Sequence, residues 1–151
     1  MGSDVCVECT NCDAGESYLL GVGMNYFDTY ELLPRLPYYP NGRVRQSYSP
    51  RYVAYIQYGA RKKVMDILDY HHVHSQDVAH RLYACPKCNT LHGRFYVRLE
   101  YDDCAVYEFN FRCGKCRTPL VEASEDAIES YACKKCGKQS LVRGAGMPLW
   151  D

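Results

Sequence analysis

The chain has 151 residues, 47% of them hydrophobic, with 18 basic side chains against 18 acidic ones. Such a composition excludes disorder by lack of apolar surface, and a net charge of zero gives no global field to draw in nucleic acid. No apolar run nears the ~20 residues that span a bilayer, so no membrane partner is expected.

The first ten residues are polar and lack the apolar stretch of a secretion signal. The reading is therefore a cytoplasmic chain. There, paired cysteines bind metal or do redox work more often than they form disulfides. Ten cysteines are present, and the first three form a C-x-x-C-x-x-C run, Cys6, Cys9 and Cys12. Only two of them fit one ordinary C-x-x-C turn. The third is a spare, an alternate ligand or a ligand for something else. Ser17 to Met24 then reads as a short strand passing into a glycine-bearing loop.

Residues 26–50 hold Pro34, Pro37, Pro40, Pro50 and the Asn41-Gly42 pair, which forbid a long helix or a central strand. Asp28 to Leu33 suits a short capped helix, and Tyr38 to Gly42 a turn. Residues 51–70 form the one substantial helix expected. Val53, Ile56, Ala60, Val64, Ile67 and Leu68 make an approximate 3.6-residue stripe, with Gly59 weakening its middle. His71, His72 and His74 follow; a solvated helix end is the simpler reading than a metal cluster. His80 and His92 read as structural or surface residues.

Phe95 to Tyr101, the Asp102-Asp103 turn and Ala105 to Phe111 make a β-hairpin with aromatic cross-strand pairs. Cys104, at its bend, has no C-x-x-C partner and reads as a free thiol. Thr118 to Val121 is a short strand, and Ser124 caps one helical turn. Residues 144–151 read as a tail.

Cys113, Cys116, Cys133 and Cys136 form C-x2-C-x16-C-x2-C, inside the spacing window of a zinc site. Two such turns give the tetrahedral sulfur cage that Zn²⁺ favours. Two more turns, Cys9/Cys12 and Cys85/Cys88, supply a second set. Tyr83 to Cys88 and Tyr131 to Cys136 both read Y-A-C-x-K-C. Taken as an internal duplication, this makes both of them second knuckles. The expected pairing is then Cys9/Cys12 with Cys85/Cys88, and Cys113/Cys116 with Cys133/Cys136. A rival joins Cys85/Cys88 to Cys113/Cys116 across the hairpin and leaves Cys9/Cys12 to meet Cys133/Cys136.

The N-terminal C-x-x-C, the Gly21-Val22-Gly23-Met24 segment, the Tyr-x-Cys-Pro-x-Cys knuckle and the closing four-cysteine ribbon resemble uncharacterised bacterial proteins with rubredoxin-like zinc ribbons. In that group a glycine often follows the second cysteine of a knuckle. Here Gly137 does so, whereas Asp13, Asn89 and Arg117 take the equivalent places. Asn and Asp tolerate the left-handed conformation better than most residues. The resemblance implies a small α+β protein: two rubredoxin-like four-cysteine zinc ribbons with a β-hairpin and a helical, Pro/Tyr-rich insertion. The expected division is an N-terminal ribbon over 1–103 with the insertion at 26–80, a C-terminal ribbon over 104–143, and the tail.

Two structural Zn²⁺ ions are the expected cofactors, and a rubredoxin-like iron protein for electron transfer is the alternative. The residues show no catalytic constellation and no evident small-molecule substrate site, so no enzyme is expected. The function expected is that of an accessory module for a protein partner or nucleic acid. For nucleic acid, Arg43, Arg45, Arg51, Arg61, Lys62 and Lys63 interleave with tyrosines.

Overall fold

Alternation in Val5, Val7 and Cys9, each buried, makes a strand of the first few residues. The computed structural model describes residues 2–21 and 56–145. The order of elements is β1 (Ser3–Cys9), β2 (Gly15–Leu20), α1 (Tyr58–Tyr70), β3 (Val73–Cys85), β4 (Thr90–Tyr101), β5 (Ala105–Glu108), β6 (Val121–Glu122), a 3₁₀ helix (Glu125–Ser130) and β7 (Leu141–Arg143). The sheets have orders β2-β1-β7 and β5-β4-β3-β6. The elements expected between residues 22 and 55, and Arg43, Arg45 and Arg51 with them, lie outside the described residues.

The chain divides into two compact units, one of Met1–Asn25, Ala79–Arg94 and Asn110–Asp151, the other of Tyr26–Val78 and Phe95–Phe109. This corrects the expected division at residue 103: the first unit takes both chain ends and the middle, and the second takes the hairpin as well as the helix.

In the first unit β1 is the central strand, antiparallel to β2 with Val5 opposite Tyr18 and antiparallel to β7 with Cys9 opposite Leu141. β3 pairs with β6 over Tyr83 and Ala84. Ser124 caps the 3₁₀ helix by accepting the Asp126 N–H, as expected, and this turn delivers Ile128 to the core. Among the described residues that core is Val5, Val7, Tyr18, Leu20, Leu82, Ala84, Leu91 and Ile128, with Ala123, Tyr131 and Leu141 packed against it. A core this small leaves a role for metal cross-links in stability. His80 is buried on β3, and desolvation draws its pKa down to about 4, so it is neutral at pH 7.

The second unit is built on α1, whose Ala60, Val64, Ile67 and Leu68 are buried. They pack with Val73, Val78, Phe95, Val97 and Leu99. The helix starts at Tyr58, so Gly59 sits in its first turn rather than its middle. His71 goes extended and its N–H closes the helix on the Ile67 carbonyl at 3.0 Å. Its Nδ1 stands 2.6 Å from Asp102 Oδ2, and the His72 N–H donates to the same carboxylate at 3.1 Å. The His71 bond holds the Asp102 carboxyl below its usual range. The exposed histidines thus include one that fastens the hairpin turn, where Asp102 itself is left-handed at φ 52°. β4 and β5 pair from Arg98 opposite Glu108 to Tyr101 opposite Ala105. Cys104, between them, is exposed.

Candidate metal centres

All four C-x-x-C turns are built alike. In each, the residue after the second cysteine has positive φ: Asp13 (52°), Asn89 (53°), Arg117 (62°) and Gly137 (74°). Its N–H turns back to the carbonyl of the first cysteine, over 3.1 Å to Cys9, 2.8 Å to Cys85, 2.9 Å to Cys113 and 2.8 Å to Cys133. The N–H of the first cysteine is then met from further on: Cys9 donates to Ala14, Cys113 to Thr118 and Cys133 to Lys138. The left-handed residue reverses the chain so that both thiols leave the same side. The first cysteine of every turn is buried and the second half-buried. Glycine is the usual residue here because it lacks the Cβ clash; three of these turns form without it.

The turns meet in pairs, Cys9, Cys12, Cys133 and Cys136 in one group and Cys85, Cys88, Cys113 and Cys116 in the other, with all sulfurs of a group within 4.8 Å of one another. Sulfur to sulfur, Cys9 and Cys136 are 3.6 Å apart, Cys12 and Cys133 3.7 Å. Cys85 and Cys116 are 3.4 Å apart, Cys88 and Cys113 3.9 Å. Four sulfurs ~2.3 Å from a central ion stand ~3.8 Å apart at tetrahedral geometry, whereas a disulfide needs ~2.05 Å. The spacing fits a metal cage and no disulfide joins these cysteines.

This grouping replaces the expected one. Cys9/Cys12 does not meet Cys85/Cys88, and Cys113/Cys116 does not meet Cys133/Cys136. The reason lies in strand pairing. β1 leads into Cys9 and β7 follows Cys136, and their pairing draws the first and last turns together. β3 leads into Cys85 and β6 follows Cys116, and their pairing does the same for the middle two. The arrangement is one plan used twice, nested. Cys85/Cys88 is therefore the first turn of its site and Cys133/Cys136 the second of the other, so the Y-A-C-x-K-C match joins unlike parts.

Polar ties reinforce the outer group. Lys134 Nζ stands 2.6 Å from Glu16 Oε2 and 3.2 Å from the Tyr18 hydroxyl, which itself donates to Glu16. Lys138 Nζ donates to Asn11 Oδ1 at 2.8 Å. Between the groups, Asn89 accepts the Ala132 N–H at 2.7 Å and donates to the Ser130 carbonyl at 3.0 Å.

Crowding four thiols splits their acidities. The Ser140 hydroxyl, with amide bonds beside it, draws Cys9 down to about 6; the Thr118 hydroxyl and amide do the same for Cys116. The Ala14 amide acts to lower Cys12, but desolvation and bonds from Cys9, Cys133 and Cys136 leave it up at about 12. The bond from Cys116, then desolvation, pushes Cys88 to about 12. In each group one thiol is thus drawn down and another pushed up; a bound dication would displace thiol protons. Four thiolates around a dication would carry a net charge of −2; Lys134 and Lys135 stand within one turn of the outer group, and Lys87 and Lys115 within the turns of the inner one.

Cys6 is not a member of either group. It lies three residues from Cys9 on the same strand, and odd spacing puts it on the opposite face; its Sγ is 3.5 Å from Ser17 Oγ. Cys104 joins neither group. Of the basic residues weighed for nucleic acid, Arg61, Lys62 and Lys63 are on α1. There, successive side chains point in different directions; Arg61 Nη2 donates to the Ile56 carbonyl at 3.3 Å, and Lys62 and Lys63 are exposed. Among the described residues no helix is long and apolar enough to cross a membrane.

Comparison with family models, with curated protein sequences and with solved structures gives no match. The class defined by the fold is that of a small chain of antiparallel strands and few helices with two four-cysteine centres able to hold two metal ions.

Proposed function

We propose that the chain is a non-catalytic, zinc-ribbon-like binding module that holds two structural Zn²⁺ ions and serves a protein partner. The carrying observation is the pair of sulfur tetrads, each with all four sulfurs within 4.8 Å of one another. A four-thiolate cage is closed: it leaves no coordination position for water or substrate. Zinc in such a cage contributes folding free energy, which suits the small described core beside the tetrads. A protein partner is preferred to nucleic acid because the net charge is zero and the described cations of α1 do not share one direction.

Metal analysis of the purified full-length chain tests the reading. Two zinc ions per chain and a colourless protein are expected. A red, iron-containing preparation would replace it with the electron-transfer alternative. Salt-dependent binding of single-stranded nucleic acid would replace the protein partner.

A further inference from the structure

Resting on the reading of the tetrads as metal cages, we propose that the hydroxyls of Thr118 and Ser140 are outer-sphere positioning groups. Each donates a hydrogen bond to one metal-bound thiolate and slows release of the ion. Thr118 Oγ1 lies 3.2 Å from Cys116 Sγ, and Ser140 Oγ lies 3.1 Å from Cys9 Sγ. By geometry Cys116 Sγ donates to Thr118 Oγ1, and either atom of the Cys9–Ser140 pair can donate; a metal-bound thiolate has no proton, so with the ion bound each hydroxyl becomes the donor.

Both hydroxyls are held by backbone clamps. Arg117, left-handed at φ 62°, turns the chain so that the Thr118 carbonyl takes the Cys113 N–H at 2.9 Å while its side chain faces Cys116. The Ser140 carbonyl is held by Thr10 through its N–H at 2.9 Å and its hydroxyl at 3.3 Å. The Ser140 N–H donates to the Lys138 carbonyl at 3.0 Å. The Ser140 hydroxyl has a second acceptor in that carbonyl at 3.5 Å, longer than its approach to sulfur. Both residues are half-buried, which strengthens a charge-assisted bond relative to one in water. The same device thus occurs once in each cage, supplied by different chain segments. By spreading the sulfur's charge it lowers the tendency of that sulfur to take a proton and leave the ion.

The test uses the full chain loaded with Co²⁺, reading the sulfur-to-cobalt charge-transfer band and the rate of release to a chelator. Thr118→Val and Ser140→Ala delete the hydroxyl; Thr118→Ser and Ser140→Thr keep it. The deletions are expected to speed release from their own site about tenfold, the lower end of outer-sphere effects. They also move the band to longer wavelength, since the sulfur gives up electron density more readily. The hydroxyl-keeping pair should match the wild type. The inference is overturned if the deletions leave band and rate unchanged, or if both members of a pair fail to load or shift alike. Should the wild type itself show no sulfur-to-cobalt band, the cage reading falls first.

Discussion

The two tetrads use the same turn four times but differ in the chain each must gather. In the inner one, Cys88 and Cys113 are 25 residues apart, bridged by the β4–β5 hairpin. In the outer one, Cys12 and Cys133 are 121 residues apart, and the inner site lies within that loop. The extra loop costs about 1.4 kcal/mol in closure entropy on a logarithmic law, close to tenfold in a binding constant. Strand pairing serves both sites, and the outer site's added Lys134–Glu16 and Lys138–Asn11 bridges recover only a minor part of this. Its one ion pair is partly exposed, and such pairs contribute at most ~1 kcal/mol. The difference teaches that the inner cage is locally specified and the outer one depends on the chain having already folded around it.

Removing a ligand breaks the comparison most sharply. Cys133→Ser is expected to abolish the outer site and leave one tightly held ion per chain. Cys113→Ser abolishes the inner site, and because the outer loop then closes without that support, the remaining ion binds about tenfold more weakly. Both variants lose at least ~3 kcal/mol of stability, since structural zinc contributes more than that to folding. Metal content and denaturant midpoints measure both. Equal retention of the second ion in the two variants would show the sites to be independent. In the wild type the same order is expected on titration with chelator: the outer ion leaves first, at a free chelator strength about tenfold lower. Selective ¹¹³Cd labelling would assign which site empties.

Much of the site is legible in the sequence, and what is hidden has a physical cause. The eight clustered cysteines follow from C-x-x-C spacing, because that spacing is a local geometry. The Ser124 cap and the turn at Asp102 are local too. The pairing of the turns is not local: it is set by β7 lying against β1 and β6 against β3, and these strands are three and two residues long. No periodicity can be read over so few positions. The first strand carried a signal in Val5, Val7 and Cys9, which the cysteine run obscured. In β3, the polar stretch His74 to Asp77 hides the alternation of Val78, His80, Leu82 and Ala84, all buried. Cys6 is ruled out as a ligand by strand parity, once the strand is known.

The smallest difference between the tetrads sits in their second turns. Gly137 occupies the left-handed position of the outer one and Arg117 that of the inner one, at φ 74° and 62°. A non-glycine residue there costs ~1–2 kcal/mol in the folded state, while glycine adds entropy to the unfolded chain. Arg117→Gly is therefore expected to stabilise by about 0.5–1 kcal/mol; the Arg117 carbonyl still accepts from Arg112 Nη1, which stands 3.3 Å away. Gly137→Ala is expected to destabilise by about 1 kcal/mol, although a Cβ there meets nothing within 4 Å. Open space around that position makes the conformational term the one that is measured. Denaturant unfolding of the metal-loaded variants gives both values. If Gly137→Ala were neutral, the left-handed residue would not be what holds the thiols together, and the shared construction of the four turns would lose its physical basis.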